Sequence, residues 1–410
     1  MTAPESPATR QATGELVATS LWVGAGLGLF WPYVALVLMG AGLDVAAVGV
    51  VMGAGAFAYT IGVPLIGQVA DTTTGRPRML AICGVVGGLL TGAIAIGLPP
   101  ALAAIALVAG WAFVLSWLPL NDAIIVSSLH DPGRYARIRV IVSGAYAGAA
   151  ILAGVVYAVT GMAAAAVALC AAGLLLPLFA RRLPDVARLE LGDGQGRPGP
   201  IAVLTGAVAA SLRLAPALPK ILIGSGLVVL GYSASNTLLG LRIVELGGGA
   251  ADVGLAGGIS ALVEVPGMIL AGWFARRFGL RPLFLAGSLV MVAVTVGWAV
   301  SPTVPALVVF RGFSGLAYAA MMICGVLTIR SLLPAELQAT GQTLLQTVLF
   351  GITGIIVNVA GGLLHAPIGF PGVFGIAAAL GLLGIAVGWR GYEDARHPDA
   401  AVATAPAPGA

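Results

Sequence analysis

Twelve stretches of this chain stay apolar for about twenty residues at a time, the length an α-helix needs to cross the roughly 30 Å hydrocarbon core of a bilayer. They lie near 15–39, 46–70, 79–98, 101–128, 136–160 and 162–180, then near 219–244, 250–275, 281–300, 303–331, 337–365 and 369–391. Of the 410 residues 59% are hydrophobic and only 9% charged, against roughly 25% charged in an ordinary soluble domain. So few charges cannot cover a water-facing surface, and lipid must be the solvent for much of the protein. The 60 glycines sit inside the apolar runs, as small residues do where membrane helices pack closely. Cys83, Cys170 and Cys324 also lie within apolar runs, without metal-ligand or disulfide spacing, and read as buried small hydrophobes. Met1 to Gly14 is polar and the run from Leu16 is too long for a signal-peptide core, so no cleaved leader is expected.

The runs fall into six and six. This gives a bundle over 1–180, a linker over 181–218, a second bundle over 219–391 and a disordered tail over 392–410. The linker is the longest polar stretch, with Arg181, Arg182, Asp185, Arg188, Glu190, Asp193 and Arg197 among Gly and Pro, and a short interfacial helix is expected near 201–212. Basic residues orient the spans. Arg76 and Arg78, then Arg134, Arg137 and Arg139, the linker, Arg276, Arg277 and Arg281, and Arg330 all fall on one side. By the positive-inside rule that side and both termini are cytoplasmic. Arg242 and Arg311 alone depart from the pattern. The net charge of +4 gives no sign of a nucleic-acid partner.

Shifted by half its length, the sequence meets itself: Gly49 falls on Gly254, Gly67 on Gly272, Arg76 on Arg281 and Pro77 on Pro282. Duplication of a six-helix unit predicts such an offset, and two parallel repeats make the architecture in which bundles rock about a central site. Chance coincidence among abundant glycines is the alternative, and the Arg-Pro pair argues against it.

The loop after the second span reads Gly67-Gln-Val-Ala-Asp71-Thr-Thr-Thr-Gly75-Arg76-Pro-Arg78. It resembles the signature loop of the major facilitator superfamily, with Thr72 in place of the usual basic residue and Gly75 one position late. The second copy, Gly272-Trp-Phe-Ala-Arg276-Arg277-Phe-Gly279-Leu-Arg281, has Arg where the first has Asp. Asp71 beside Arg76, Arg78 and Arg134 offers charge-assisted contacts that would hold the helix ends together in one state. A solvated loop that only fixes topology is the alternative. Gly28-Leu-Phe-Trp31-Pro32-Tyr33, Asn121-Asp122, Tyr135-Ala-Arg137-Ile-Arg139, Ser143, Glu264-Val-Pro266 and Leu333-Pro-Ala-Glu336-Leu-Gln-Ala-Thr340 resemble the phenylpropionate-permease branch, which is related to lactose-permease-like and nucleoside symporters. The resemblance implies twelve helices in two pseudo-symmetric bundles and secondary transport of a small organic solute.

An ionisable residue inside a span is costly and asks for a reason. Glu264 stands about fourteen residues into the eighth span, and Arg311 about eight residues into the tenth, some 20 Å and 12 Å deep at ~1.5 Å per residue. Asp122 lies near the inner end of the fourth span, Arg139 near the inner start of the fifth. A carboxylate that exchanges between proton, arginine and substrate is the minimal device for coupled transport. A structural ion pair is the other reading, stronger for Asp122 and Arg139, which lie close to the polar interface. Arg242 reads as a snorkelling interfacial residue.

The resemblance sharpens the chemistry. Glu264 matches a carboxylate that takes part in sugar binding in lactose-permease-like carriers. Their tenth span also holds His and, three residues on, Glu, where this chain has Arg311 and Ser314. Coupling here would fall to Glu264 or Asp122, with the proton gradient as energy source and no cofactor. The fifth span lacks the Gly-Pro element of many proton-driven drug exporters, and the fourth lacks their embedded Arg. Export of sugars, metabolites or drugs stays open.

Trp31, Trp117, Tyr146, Tyr232, Asn236, Tyr318 and Gln346 lie near mid-span and suit a solute site of apolar walls with a few hydrogen-bonding groups; membrane anchoring is the alternative for the aromatics. Gly24, Gly28, Gly144 and Gly148 are spaced for close helix crossings. His130, His365 and His397 fall in loops or at span ends, with no metal constellation. A membrane-embedded enzyme would need a nucleophile–base pair, metal cluster or phosphate cradle, and none is apparent. A non-transporting receptor or scaffold would usually add a soluble domain. The expected protein is a functional monomer in the inner (plasma) membrane, with the bilayer and a small molecule as partners.

Overall fold

The computed structural model describes residues 7–129, 132–184 and 208–395. Membrane-length helices run over Thr13–Gly40 (α1), Val45–Thr74 (α2), Arg76–Ile96 (α3), Pro100–Ser128 (α4), Pro132–Thr160 (α5) and Ala163–Ala180 (α6). The second set runs over Leu218–Glu245 (α7), Ala250–Phe278 (α8), Leu280–Val300 (α9) and Val304–Leu332 (α10). A single apolar stretch, Thr340–Asp394, follows. At ~1.5 Å per residue its 55 residues would reach roughly 80 Å, far more than one bilayer. It folds back at Gly369, whose φ of 66° suits glycine and which lies between Pro367 and Pro371. The result is α11 over 335–368 and α12 over 370–394. Twelve spans therefore stand where the apolar runs place them, with ends displaced by a few residues.

Two boundaries differ from the sequence expectation. Part of the linker, 208–214, is helical, while 185–207 lies outside the described residues. The final helix passes the expected end at 391 and continues to Asp394, so the start of the expected disordered tail is ordered helix; 396–410 lies outside the described residues. The extra turn is held by its own side chains. The Tyr392 hydroxyl lies 3.0 Å from Cys324 Sγ and 2.8 Å from Thr328 Oγ1, Glu393 pairs with Arg281, and Asp394 pairs with Lys220 at 2.7 Å. Cys324 is thus a hydrogen-bonding group as well as a buried one.

Within each half the helices meet through glycine. A Cβ on Gly24 or Gly28 of α1 would collide with the backbone carbonyls of Val142 and Tyr146 of α5, and Gly84 and Gly173 bring α3 against α6 in the same way. Gly144 and Gly148 do not cross anything: nothing stands within 4 Å of either. Spacing of four marks a small face on α5, but α1 meets the other side of that helix.

The halves meet along α5 with α8 and α2 with α11. Gly154 lies against Ala250, and Gly254 against Ala150 and the Tyr33 hydroxyl; Gly49 lies against Asn358 and Gly362. Tyr33 donates to the Ala150 carbonyl, fixing α1 to α5 at this junction. These contacts lie in the half of the membrane away from the arginine-rich loops. The inter-half glycine contacts reach only to mid-span, where Gly351 meets Thr60. Among the described residues no glycine contact between the halves lies nearer the arginine-rich face.

The α1–α5 crossing is a point of overpacking. We expect Gly28→Val to destabilise the first half by about 1–3 kcal/mol, seen as a lower midpoint for loss of monodispersity on heating in detergent. Gly148→Val, on the open face of α5, should leave that midpoint unchanged.

Candidate functional site

Several of the long helices depart from regular α geometry, α4 at Ser116 among them, and the departures of α1 and α7 border one cavity. α1 tightens to a 3₁₀ turn at Trp31–Tyr33, where Pro32 supplies no backbone N–H. α7 widens to a π-helical turn at Ser235–Leu239, and α11 does so at Thr347–Ile352. Shifted by half the chain, residues 31–33 fall on 236–238, so the first helix of each half departs from regular geometry at matching positions. Irregular backbone at membrane depth is tolerated where it lines a cavity. Trp31, Pro32, Tyr146, Ser235, Gly257 and Arg311 are among the residues lining the space between the α1 and α7 turns.

Arg311 is only 8% exposed. Its Nη1 donates to the Ser235 and Ser314 hydroxyls, and its guanidinium carbon lies 5.1 Å from the centre of the Tyr232 ring. Ser235 in turn donates to the Tyr232 carbonyl at 2.6 Å. Tyr232 stacks on Tyr318 with ring centres 4.6 Å apart and planes 12° apart, and Phe350 meets Tyr318 edge-on. The charge is thus received by two hydroxyls and the face of a ring, the substitutes for water that a buried cation requires.

Glu264 of α8 is half-buried and within electrostatic reach of Arg311 of α10 and Arg139 of α5. Arg139 pairs with Asp122 of α4 at 3.4 Å. Tyr146 feels both Arg311 and Glu264, and Tyr318 feels Glu264, Arg139 and Tyr59 of α2. Two acids and two bases from four helices are therefore linked electrostatically, with Asp122 and Arg139 contributed by the first half and Glu264 and Arg311 by the second, and Arg311 alone among them lines the cavity.

The structure sorts the remaining candidates. Trp31 lines the cavity and packs on Trp111 at 5.3 Å. Trp117 is wholly buried against Gly26 and belongs to the packing between α4 and α1. Gln346 is half-buried at the entry to the α11 turn and is not among the cavity-lining residues. The side chain of Asn236 lies outside the described ones, as do His130 and His397. Arg242 pairs with Glu245 at 2.5 Å near the end of α7. Sequence reasoning missed Ser235 as a partner of Arg311, and nothing marks it among so many hydroxyls. Ser314, three residues along one helix face, was findable by spacing.

At the arginine-rich face, Asp71 accepts from Arg76 Nε at 2.6 Å, and Arg76 Nη1 donates to the Ala123 carbonyl at 3.1 Å. The ends of α2, α3 and α4 are tied together inside the first half. Gly75, with φ of 85°, makes the turn between α2 and α3, and Gly67 has no neighbour within 4 Å. Arg134 donates to Thr13 at 2.9 Å, so its hydrogen bond joins α5 to α1. In the second half Arg281 pairs with Glu393 and lies 3.6 Å over the Trp389 ring, while Arg276 remains exposed on α8.

Comparison with known proteins follows the same outline. Residues 221–408 match the sequence profile of the Major Facilitator Superfamily. The chain is similar to the maltose permease of Geobacillus stearothermophilus, 27% identical over 329 residues that span 78% of this chain and 79% of that protein. It is 31% identical over 135 residues to the MFS-type transporter ppzB of Metarhizium majus (strain ARSEF 297), a match spanning 33% of this chain and 28% of the relative. Its fold is similar to the crystal structure of the nucleoside transporter NupG, with a TM-score of 0.75, 18% identity, and coverage of 93% of this chain and 99% of that one.

The Asp71–Arg76–Ala123 chain ties the ends of α2, α3 and α4 together at the arginine-rich face. We expect Asp71→Asn to shift the balance between arrangements open to the two sides. A thiol at Ser143→Cys, on α5 between Arg139 and Tyr146, should then react severalfold more slowly with an impermeant reagent applied from that side. An unchanged rate would show that the chain carries no such weight.

Proposed function

We propose that this chain, whose residues 221–408 match the Major Facilitator Superfamily profile, is a carrier of that kind and moves a small organic solute across the membrane by alternating access, coupled to protons. The observation that carries the coupling is the charge balance of the central space. Asp122, Arg139, Glu264 and Arg311 sum to zero when all are ionised. In a poorly solvated site an uncompensated charge is expensive. An anionic substrate entering alone would leave the site one negative charge in excess. A proton on Glu264 restores neutrality, so the two bind more favourably together than apart, which is symport.

Each residue then has a role. Glu264 exchanges its proton, and Arg139, already paired with Asp122, stands ready to receive the ionised form. Arg311 holds a substrate carboxylate, and Trp31, Tyr146, Tyr232 and Tyr318 supply the walls. The pattern of arginine-rich loops supports a cytoplasmic face on that side of a plasma (inner) membrane. The inter-half glycine contacts, which lie on the other side, support an inward-open reading of the described arrangement. The resting partner is a monomer in lipid, and the energy source is the proton gradient. The role is that of a carrier rather than an enzyme.

A second reading has its own support. A maltose permease and a nucleoside transporter are among the proteins similar to this chain, and Glu264 is equally suited to accept hydrogen bonds from a polyhydroxylated neutral solute. Export down the same path uses the same parts with the gradient reversed.

The readings separate in proteoliposomes loaded with a pH-sensitive dye and offered aromatic acids, nucleosides and disaccharides in turn. We expect proton flux to accompany an acid, and Glu264→Gln to abolish that flux and any pH-driven accumulation. Full accumulation in Glu264→Gln would remove Glu264 from the coupling. Arg311→Gln should weaken binding of an acid by about tenfold or more, the worth of a charge-assisted hydrogen-bonded contact, read as loss of ligand-induced thermal shift. An equal loss for nucleosides or disaccharides would favour the neutral-solute reading.

A further inference from the structure

The end of α8 at the arginine-rich face carries a stripe that the transport reading leaves unused. Ile269 is 72% exposed, Trp273 49% and Phe278 48%, and Arg276 and Arg277 are exposed beside them. The spacing Ile269, Trp273, Arg276 and Arg277 keeps them on one side of the helix. The rings are organised among themselves: Phe274 and Phe278 lie 4.7 Å apart, Trp273 meets Phe278 edge-on at 5.9 Å, and Arg277 stands 5.5 Å from the Phe278 ring. Along the helix the order is aliphatic, aromatic, then cationic. From Ile269 to Arg277 the rise is roughly 12 Å, enough to pass from acyl chains into the headgroup layer.

We propose that this stripe is a docking site for an anionic phospholipid. Its acyl chains would lie along Ile269 and Trp273, and its phosphate would rest between Arg276 and Arg277. Three observations favour that occupant. First, three arginines crowd the α8–α9 turn, yet only Arg281 is neutralised, by Glu393. Among the described residues neither Arg276 nor Arg277 has an ion-pair partner. Second, the exposed Trp273 and Phe278 call for hydrocarbon and interface rather than water, which separates a lipid from a free phosphate. Third, the other half lacks the feature. At the half-chain offset Trp273 corresponds to Gln68 and Arg276 to Asp71, whose carboxylate would repel a lipid phosphate. The chemistry is particular to α8, the helix that also bears Glu264 and half of the seam between the bundles, so lipid held here bears on how α8 tilts.

The test uses the full protein in nanodiscs and reads no transport, so its failure would leave the proposed function standing. Phosphatidylglycerol or phosphatidylcholine with brominated acyl chains quenches nearby tryptophan, and the difference between wild type and Trp273→Phe isolates one of the seven tryptophans. We expect the Trp273-dependent quenching to reach half-maximum at about tenfold lower mole fraction of the anionic lipid, the preference that two arginines at a surface provide. Arg276→Gln/Arg277→Gln should shrink that preference to about twofold or less. Equal Trp273-dependent quenching by the two lipids overturns the proposal. Glycerol 1-phosphate in solution should not relieve the quenching; relief would assign the arginines to a soluble phosphate and also overturn it.

Discussion

Inside hydrocarbon a backbone amide has no water to fall back on, and this one constraint organises the protein. It forces the apolar runs into helices, and it makes each departure from helical geometry expensive unless something polar lies beside it. The departures at Trp31–Tyr33 and Ser235–Leu239 border the central cavity. Where regular helices cross, glycine sets the approach. Gly24 and Gly28 admit α5 to the backbone of α1, and Gly154, Gly254, Gly49 and Gly362 do the same between the halves. Contacts of this kind carry no charge and no directional bond, so a seam made from them can open without leaving buried polar groups orphaned.

The two halves show how a duplicated unit diverges under charge balance. Arg76 and Arg281 occupy matching positions at the start of α3 and α9. In the first half the carboxylate for Arg76 is Asp71, five residues back. In the second half the matching position is Arg276, so a local partner is missing and Arg281 must look elsewhere. It pairs with Glu393, in the part of α12 that continues beyond the membrane run. That pair joins the Tyr392 and Asp394 contacts in holding the last turn of the helix.

That dependence explains what was legible in the sequence. Spans, their grouping into six and six, and the repeat could be read because each rests on local composition or on a fixed offset. Glu264 and Arg311 stood out because a charge in an apolar run is conspicuous. The hydroxyls that receive Arg311 were not legible. Ser235 is one of many serines, and its position is set by a π-helical turn that composition does not signal. The glycine spacing on α5 identified a small face truly, but which face meets α1 is decided by the packing of the whole half. Tyr392 looked like the start of a tail for the same reason: its partners, Cys324 and Thr328, lie on another helix.

The placement of the four central charges bears on why such costly groups are kept. Asp122 and Arg139 form a pair within the first half, and Glu264 of the second half feels Arg139 more strongly than Arg311. Each half contributes one acid and one base, so the four carry no net charge when all are ionised. When they approach, Arg139 has two acids within reach and Glu264 two bases. In the proposed symport a proton on Glu264 would alter which of these attractions draws the halves together, and an anion at Arg311 would alter the other. On that proposal motion between the halves would respond to both ligands through the same quartet, since Coulomb attraction across a closing, poorly solvated gap grows steeply as water leaves. The proposed coupling would require no relay of residues between proton and substrate, since the charge balance of the four groups would supply it.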